Sequence, residues 1–368
     1  MRIDFIIKLY ITFFLLTSLI YSQHVWQKYA YNPVLPTWSG AVDEPNGYQN
    51  NLEQGILYDS TNNIFHMWFS SLTFHSGAKL NISEAMSFNG TDWYNYTNNP
   101  VVLCGANGAF DEQVRSPKVI EDATGFKMYY TCVRNEIYCI GMATSSDGKT
   151  WTKYPSNPVL TAGVSGSWDD VNVAFCSVVF DSTKSDSSRY MMWFGGGQGA
   201  ATNIGLATSS DGIVWTEYSG NPVFIPGISG WDRVAVFEPA ILKVNGYYHM
   251  FYLGNHGGTN SVGWAYSPDG MNWTRGDTLP VLTAGGQWEQ QIGDIDVKFI
   301  NNKFHMWYSG YSGAKGWQVG YATSEYDSAG VSSAFQLSYN TPLHESYVEP
   351  IHSEADSNMV VRKQQRER

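Results

Sequence analysis

Three acidic residues of this sequence stand at corresponding points of three internal repeats, and their setting suits acid–base chemistry. Glu53 is followed by Gln-Gly-Ile-Leu, Glu238 by Pro-Ala-Ile-Leu and Asp294 by Ile-Asp-Val-Lys. Each segment comes shortly before a run rich in aromatic residues and methionine. Carboxyl groups held together in a partly apolar site differ in pKa, so that one acts as an acid beside another that acts as a base. We therefore predict that Glu53, Glu238 and Asp294 are catalytic.

The corresponding position of the other two repeats holds Ser116 and Phe175, which breaks the acidic pattern. Arg115 and Phe237 each stand directly before one of the corresponding positions. We predict that these four residues and His256 bind the substrate. The chain also contains 14 Trp, 24 Tyr and 18 Phe. Some of these rings can stack on sugar rings, although most recur with the repeat and are expected to pack between its units.

The elements that position these residues belong to a repeat of about 60 residues. Its clearest part is Trp-Thr-Lys-Tyr-Pro-Ser-Asn-Pro-Val-Leu at residues 151–160, and related copies begin at Trp26, Trp93, Trp215 and Trp273. An Asn-Gly or Asp-Gly turn signal stands shortly before four of these tryptophans. Each repeat also has an aromatic and methionine run, which favours a strand, and four repeats have a Gly-x-Ala strand. Each repeat is thus predicted to be a four-stranded unit.

Four-stranded sheets repeated around an axis form a β-propeller. We predict an all-β fold, a five-bladed β-propeller of four-stranded antiparallel blades. The last repeat lacks an outer strand, whereas residues 26–35 supply an outer-strand copy ahead of the first blade. An N-terminal strand that closes the ring there would remove the free sheet edges. Because the inner strands surround the axis, the three carboxyl groups are expected to converge on one mouth of the ring.

The ends of the chain predict export and a tail. Residues 1–22 have the pattern of a signal peptide, with Arg2 and Lys8 before a short uncharged apolar run. A membrane anchor is the alternative, but the run is short for a span of ~20 residues. We predict a secreted or periplasmic protein with no membrane contact after cleavage. Residues 23–330 are assigned to the propeller and 331–368 to a C-terminal extension, disordered from about residue 346.

The net charge of −11 argues against a nucleic-acid partner. We predict a monomer whose partner is a carbohydrate. The even number of cysteines suits an oxidising compartment; Cys132 and Cys139 flank a short hairpin, so they either form a disulfide or remain buried thiols like the other two. No Cys or His spacing indicates a metal site. We therefore predict no cofactor. The alternative is a Ca²⁺ or Na⁺ ion on the axis near His256 or His305.

At these residues the chain resembles the five-bladed propeller glycoside hydrolases, namely the arabinanase and β-xylosidase family 43 and the invertase and levansucrase families 32 and 68. Residues 115–119, Arg-Ser-Pro-Lys-Val, look like the Arg-Asp-Pro motif of the invertase group with Ser in place of Asp. Glu238 and the following proline are similar to that group's acid/base Glu, and Glu53 stands where the families carry an Asp. Residues 43–47 resemble the invertase Asn-Asp-Pro-Asn-Gly motif but lie too far before the strand. The Asp-Gly turns also resemble the Asp-box of sialidases, which have six blades and an arginine cluster.

The resemblance implies a secreted glycoside hydrolase acting on a plant or algal oligosaccharide or polysaccharide. Glu238 is then the general acid, Glu53 the general base or nucleophile, and Asp294 holds a sugar hydroxyl or replaces the blade-two Asp that Ser116 lacks. The arabinanase-like likeness implies an inverting mechanism. The alternative is a non-catalytic propeller that binds glycan or protein at the same mouth, because a fold alone does not determine function.

Overall fold

A computed structural model describes residues 24–36, 51–73, 79–198 and 202–326. Within these ranges the chain forms strands and turns and no helix, and none of the described segments is a helix able to cross a membrane. The predicted signal peptide, C-terminal extension and invertase-like segment 43–47 lie outside the described residues. Their boundaries stay predictions.

Five sheets form the blades, as predicted. Blade one contains β2, β3, β4 and β5, which are Asn51–Asp59, Ile64–Thr73, Lys79–Ser87 and Tyr94–Asn95; it follows β1, Gln27–Lys28. Blade two contains β6–β9, which are Gln113–Asp122, Gly125–Arg134, Ile137–Ser145 and Thr152–Lys153. Blade three contains β10–β13, which are Asn172–Phe180, Tyr190–Gly197, Asn203–Ser209 and Thr216–Glu217.

Blade four contains β14–β18, which are Ala235–Val244, Tyr247–Asn255, Ser261–Ser267, Thr274–Arg275 and Leu282–Thr283. The inner three strands of blade five are β19–β21, which are Gln291–Ile300, Lys303–Ser312 and Gly316–Glu325. Neighbouring strands of every blade pair antiparallel, with the first strand innermost. The prediction of an all-β five-bladed propeller is confirmed.

The ring is closed by the N-terminal strand. Gln27 pairs with Thr323 and Lys28 with Ala322, so β1 is the outer strand of blade five. Leu35 forms a further bridge with Val319. The outer-strand copy at residues 26–35 therefore completes the last blade, as its place in the repeat predicted.

The Asp-Gly turns join neighbouring blades. The carbonyl of Gly148 accepts a hydrogen bond from Trp151 Nε1 of its own blade at 2.9 Å and from Trp68 Nε1 of blade one at 3.2 Å. Gly90 and Gly270 accept the same two kinds of tryptophan donor, and Tyr129 Oη donates to Gly212. The turn glycines have φ between 71° and 79°, a left-handed conformation that glycine adopts without a steric penalty. The motif thus repeats because it links the blades.

The asparagine of the outer segment finishes the third strand of its blade. Asn157 Oδ1 accepts from the amide of Met142, and its Nδ2 donates to the carbonyl of the same residue. Asn32, Asn99 and Asn221 do the same in blades five, one and three. A side-chain amide thereby satisfies backbone groups at the outer end of the sheet.

The second strands form the packed centre of each blade. Met67, Met128, Met192, Met250 and Met306 all have no exposed surface.

Cys132 and Cys139 face each other across β7 and β8, and the four cysteines are free thiols in this structure, with Cys104 partly exposed. Of the two alternatives, the structure therefore shows thiols.

Candidate active site

The five corresponding inner-strand positions share one backbone feature, a β-bulge. Pairing with the second strand shifts register at Glu53, Ser116, Phe175 and Glu238, and all four have φ between 50° and 59°. In blade five the shift falls at Asp294, between Gly293 and Ile295. Non-glycine residues at positive φ are uncommon, and bulges redirect side chains. We call these five residues the rung.

A hydroxyl of the preceding blade holds the bulge in three blades. Backbone N–H groups of Glu53, Ser116 and Phe175 donate to the hydroxyl oxygens of Ser309, Ser70 and Thr131 at 3.0 to 3.1 Å. Blades three and four have Gly195 and Leu253 at the hydroxyl position. In blade five the backbone of Asp294 instead lies near the carboxyl group of Glu238 and lowers its pKa. The acidic residues of blades four and five are thus close together.

Glu53 and Arg115 form an ion pair between blades one and two. The second oxygen of Glu53 accepts a hydrogen bond from Ser70 Oγ at 2.7 Å, and this carboxylate is almost fully buried. The guanidinium of Arg115 lies 5.5 Å from the centre of the Phe175 ring, and the ring centroids of Phe175 and Tyr138 are 6.4 Å apart. Arg115 thus contacts one of the three acidic residues of the rung.

Lys118 forms the floor of the site, and the sequence did not single it out. Its Nζ donates to the carbonyl oxygens of Gln54 at 2.8 Å and Ile295 at 3.0 Å, and lies 3.4 Å from Asp294 Oδ1. Burial lowers the pKa of Lys118, but the carboxylates of Asp294 and Asp296 outweigh it and raise the pKa above its ordinary value. Lys118 is thus a charged group near the axis that links blades one, two and five.

Its position in the rung raises the pKa of Glu238. Burial, followed by the negative charge of Asp294, raises the pKa of Glu238 to about 8, against the opposing charges of Arg115 and Lys118. Burial raises the pKa of Asp294 as well, although Lys118 and Arg115 oppose that shift. Two buried carboxyl groups close to each other cannot both ionise easily, so the pair retains a proton near neutral pH. Because Lys118 lies against Asp294, it favours the arrangement with the proton on Glu238.

Several buried polar atoms of this site have no hydrogen-bond partner within the described part of the chain. They are Glu238 Oε2, Asp294 Oδ2, Arg115 Nε and Ser116 Oγ. Buried polar groups are normally paired. Four unpaired atoms on neighbouring residues at one mouth therefore indicate a place that receives a polar ligand.

The remaining predicted residues are placed as follows. Phe237 precedes Glu238 in β14 and is half-buried. His256 is exposed in the loop after β15, at the mouth end of blade four, and no contact joins it to the rung among the described residues. His305 bonds to Tyr321 Oη and the carbonyl of Ile300. Within the described ranges no group of three His, Cys, Asp or Glu can hold a metal. The prediction of no cofactor, with an axial ion as its alternative, stays a prediction.

Sequence reasoning missed Ser70, Gln54 and Lys118. Lys118 had a detectable signal, because the residue opposite the same second-strand position is Gly55, Ser177 or Ala240 in three other blades and Asp296 in blade five. The sites are close to the axis: a Cβ on Gly55 would lie 2.2 Å from the carbonyl oxygen of Pro117. A lysine and an aspartate at such a crowded position break the repeat as a matched pair.

Comparison with known proteins begins with sequence. No protein-family model matches the chain. An uncharacterized protein of Mycobacterium tuberculosis is 27% identical over 194 residues, which cover 51% of this chain and 61% of that protein. The β-1,2-mannobiose phosphorylase of a Thermoanaerobacter species is 29% identical over 116 residues, 27% of this chain and 37% of the phosphorylase. The chain thus spans less than two thirds of the length of these relatives.

Solved structures match over more of the chain. A glycoside hydrolase has a TM-score of 0.63 at 19% identity, covering 87% of this chain and 96% of its own. A structure from the GH130 family of mannoside phosphorylases, described as containing hydrolases that target β-1,2 mannosidic linkages in Candida mannan, has a TM-score of 0.63 at 16% identity, covering 83% and 94%. The β-1,2-mannobiose phosphorylase from Listeria innocua has a TM-score of 0.64 at 10% identity, covering 82% and 96%.

These matches confirm a fold like that of the five-bladed propeller glycoside hydrolases. They do not confirm the narrower likeness to families 43, 32 and 68, because the named neighbours include mannoside phosphorylases. At this level of identity the structural matches establish the fold alone.

Proposed function

We propose that this protein cleaves a glycosidic bond at the propeller mouth, with Glu238 as the general acid. The observation that carries the proposal is the carboxyl pair of Glu238 and Asp294, which retains a proton near neutral pH within a site of unpaired polar atoms. A general acid needs a pKa near the working pH so that it both holds and releases its proton. With a pKa of about 8, Glu238 meets that requirement.

The catalytic roles follow from the contacts. Glu238 Oε2 is unpaired among the described residues and donates the proton to the leaving oxygen. Glu53 acts as the general base, and Arg115 and Ser70 orient it, one at each carboxylate oxygen. Because a carboxylate oxygen can accept two hydrogen bonds, Glu53 can still bind a water. Asp294 presents Oδ2 to a sugar hydroxyl while Lys118 holds its other oxygen.

Hydrolysis fits the charges of the site better than phosphorolysis. Phosphate needs cationic or N–H donors that are available to it. Among the described residues, Arg115 and Lys118 are the cations that contact the rung, and both already pair with its carboxylates. The substrate is then a neutral saccharide, whose rings can pack on Phe175 and Phe237. Because two of the solved neighbours and one relative are described as acting on β-1,2-mannosides, those are the first compounds to test.

Export by residues 1–22 and a plant or algal source of the glycan remain part of the proposal. The charge and hydropathy pattern of the N-terminus supports export. Cell fractionation with N-terminal sequencing of the mature protein tests it: a chain that starts near residue 23 outside the cytoplasm agrees, and an intact cytoplasmic chain contradicts it.

The test of function is a glycan panel assayed with and without inorganic phosphate. It includes β-1,2-mannobiose, aryl β-mannosides and other neutral glycosides, and it compares the wild type with Glu238→Gln and with Glu136→Gln, an exposed hairpin control. We expect phosphate-independent cleavage that only Glu238→Gln reduces. Cleavage that requires phosphate would contradict hydrolysis but retain the acid role of Glu238. Binding without cleavage, unchanged by Glu238→Gln, would favour the non-catalytic propeller.

A further inference from the structure

A second set of acidic residues repeats at the entrance to the inner strands, away from the rung. These residues are Asp111, Asp169, Asp232 and Glu289, and all are at most 5% exposed. In three blades the outer strand of the same blade supplies a cation: Lys153 lies 2.5 Å from Asp111, Arg275 lies 2.8 Å from Asp232, and Lys28 contacts Glu289. These ion pairs give the acidic residues of blades two, four and five a structural role.

The same acidic residues have a second partner, a tyrosine from the second strand. Tyr252 Oη donates to Asp232 Oδ2 at 3.0 Å, and Tyr308 lies close enough to Glu289 for the carboxylate to raise the tyrosine's pKa. Tyr130 lies close enough to Asp111 for the carboxylate to raise the tyrosine's pKa. Each buried carboxylate of blades two, four and five is therefore neutralised by a cation and approached by a hydroxyl group.

Blade three lacks both partners. Glu217 stands at the place of the lysine or arginine, and Phe194 stands at the place of the tyrosine. Asp169 is 1% exposed, and its Oδ2 has no hydrogen-bond partner within the described ranges. Its other oxygen accepts from Ser167 Oγ at 2.9 Å. In blade three the buried carboxylate of Asp169 therefore has an unpaired oxygen, and Glu217 stands where the other blades have a cation.

The carboxyl groups of Asp169 and Glu217 lie close enough for their charges to interact. Burial, and then the charge of Asp169, raise the pKa of Glu217 to about 7, while a hydrogen bond with Asn221 opposes the shift. Two acidic groups in such contact repel each other unless a positive charge or a proton lies between them. A cation between the two carboxylates would remove this repulsion.

The other blades show that this place is built around a positive charge. In blade four, Arg275 also donates to the carbonyl oxygen of Ile225 at 2.7 Å, and in blade five Lys28 donates to that of Thr283 at 2.6 Å. Ile225 and Thr283 each directly follow the last residue of an outer segment. Thr161 holds the corresponding place for blade three. The position therefore combines a buried carboxylate with a neighbouring backbone carbonyl.

We propose that Asp169 and Glu217 bind a divalent metal cation of the Ca²⁺ type at the position that lysine or arginine occupies in blades two, four and five. The oxygen-only surroundings suit a hard cation, which also accepts carbonyl and water ligands. The site has two carboxylates, and no group of three or more His, Cys, Asp or Glu in the described ranges can hold a metal. Its affinity is therefore expected in the range of weak extracellular sites, ~10⁻³ M.

The test measures thermal unfolding of the full-length protein at pH 8 with 10 mM CaCl₂ or with NaCl of equal ionic strength, after removal of metals with EDTA. Glu217→Lys restores the ion pair of the other blades, and Glu217→Gln removes the charge without adding a cation. Glu136→Lys changes the charge equally in an exposed hairpin and serves as the control. We expect Ca²⁺ to raise the Tm of wild type and Glu136→Lys by about 2–4 °C and to leave both Glu217 variants unchanged.

Two results would overturn the proposal. One is an equal Ca²⁺ shift in the wild type and the Glu217 variants, which would place the ion elsewhere. The other is the absence of a shift with Ca²⁺ or Mg²⁺ in any variant. If the wild-type Tm then rises between pH 8 and pH 6 and that of Glu217→Gln does not, the pair is stabilised by a shared proton instead of a metal.

Discussion

The rung and the Asp-Gly turns both recur around the propeller, yet they repeat in different ways. In the turns the backbone, the side chains and their contacts all recur: the side-chain oxygen of Asn89, Asp147, Asp211 or Asp269 accepts two backbone N–H groups in its own turn. At the rung only the bulged backbone recurs, while the side chain is Glu, Ser, Phe, Glu or Asp. Where the backbone repeats and the side chains vary, the side chains can serve catalysis or binding without disturbing the fold.

The two regions also treat a carboxyl group in opposite ways. In the turns burial raises the pKa, but the backbone and serine donors outweigh it and lower the pKa of Asp147, Asp211 and Asp269, the last to about 2. At the rung burial and a second carboxyl group raise the pKa of Glu238 to about 8. The turn carboxylates therefore serve as acceptors that stay ionised, whereas the rung carboxyl can exchange a proton.

The largest expected effect on activity comes from Glu238→Gln, which keeps the shape of the rung and removes its proton donor. General acid catalysis contributes about 10²–10⁴-fold. We expect a loss of that size in kcat on a substrate with a poor leaving group, measured by steady-state kinetics beside Glu136→Gln. Full activity of Glu238→Gln on that substrate would end the assignment of Glu238 as the acid.

Ring closure is expected to govern global stability. Deleting residues 24–36 removes β1 and exposes the edge of β21, and it also removes Trp26, which packs on Phe251 and Phe304. We expect a lower urea midpoint and concentration-dependent association, measured by circular dichroism and light scattering. A deletion variant as stable as the full chain would show that the ring closes without this strand.

Lys118→Met removes the positive charge beside Asp294 and leaves the five rung residues unchanged. Removing one partner of a buried ion pair costs about 3–5 kcal/mol. Because a positive charge near Asp294 is lost, the carboxyl pair should bind its proton more tightly. The alkaline limb of kcat/KM should therefore move to higher pH, and Lys118→Arg should restore part of the wild-type profile. An unchanged pH profile at reduced stability would show that Lys118 is only structural.

The smallest expected effect comes from the turns. Asp147→Ala removes a side chain that accepts from the amides of Lys149 and Thr150. Loss of such a cap costs about 0.5–2 kcal/mol. We expect a lower free energy of unfolding in urea and an unchanged kcat/KM. If Asp147→Ala reduced activity at constant stability, the contrast between turns and rung would fail.

The sequence predicted the repeat, the five blades and the closing strand because these depend on short motifs that recur along the chain. It also placed Glu53, Glu238 and Asp294 at one level, and the bulges found there confirm that alignment. It could not predict that Glu238 lies close to Asp294, because that proximity depends on how the inner strands of blades four and five pack together. Nor could it show that Glu217 meets Asp169, because that contact joins distant parts of the chain.

The most direct test of the central claim, that Glu238 carries the reacting proton, is the pH profile of kcat/KM on a cleaved glycoside. The folded pKa of Glu238 is raised to about 8, so the acid form is present at neutral pH and is lost as the pH rises through that value. The account predicts an alkaline limb near pH 8 for a poor leaving group and its disappearance in the residual activity of Glu238→Gln. An alkaline limb near pH 5, or one that survives in Glu238→Gln, would contradict it.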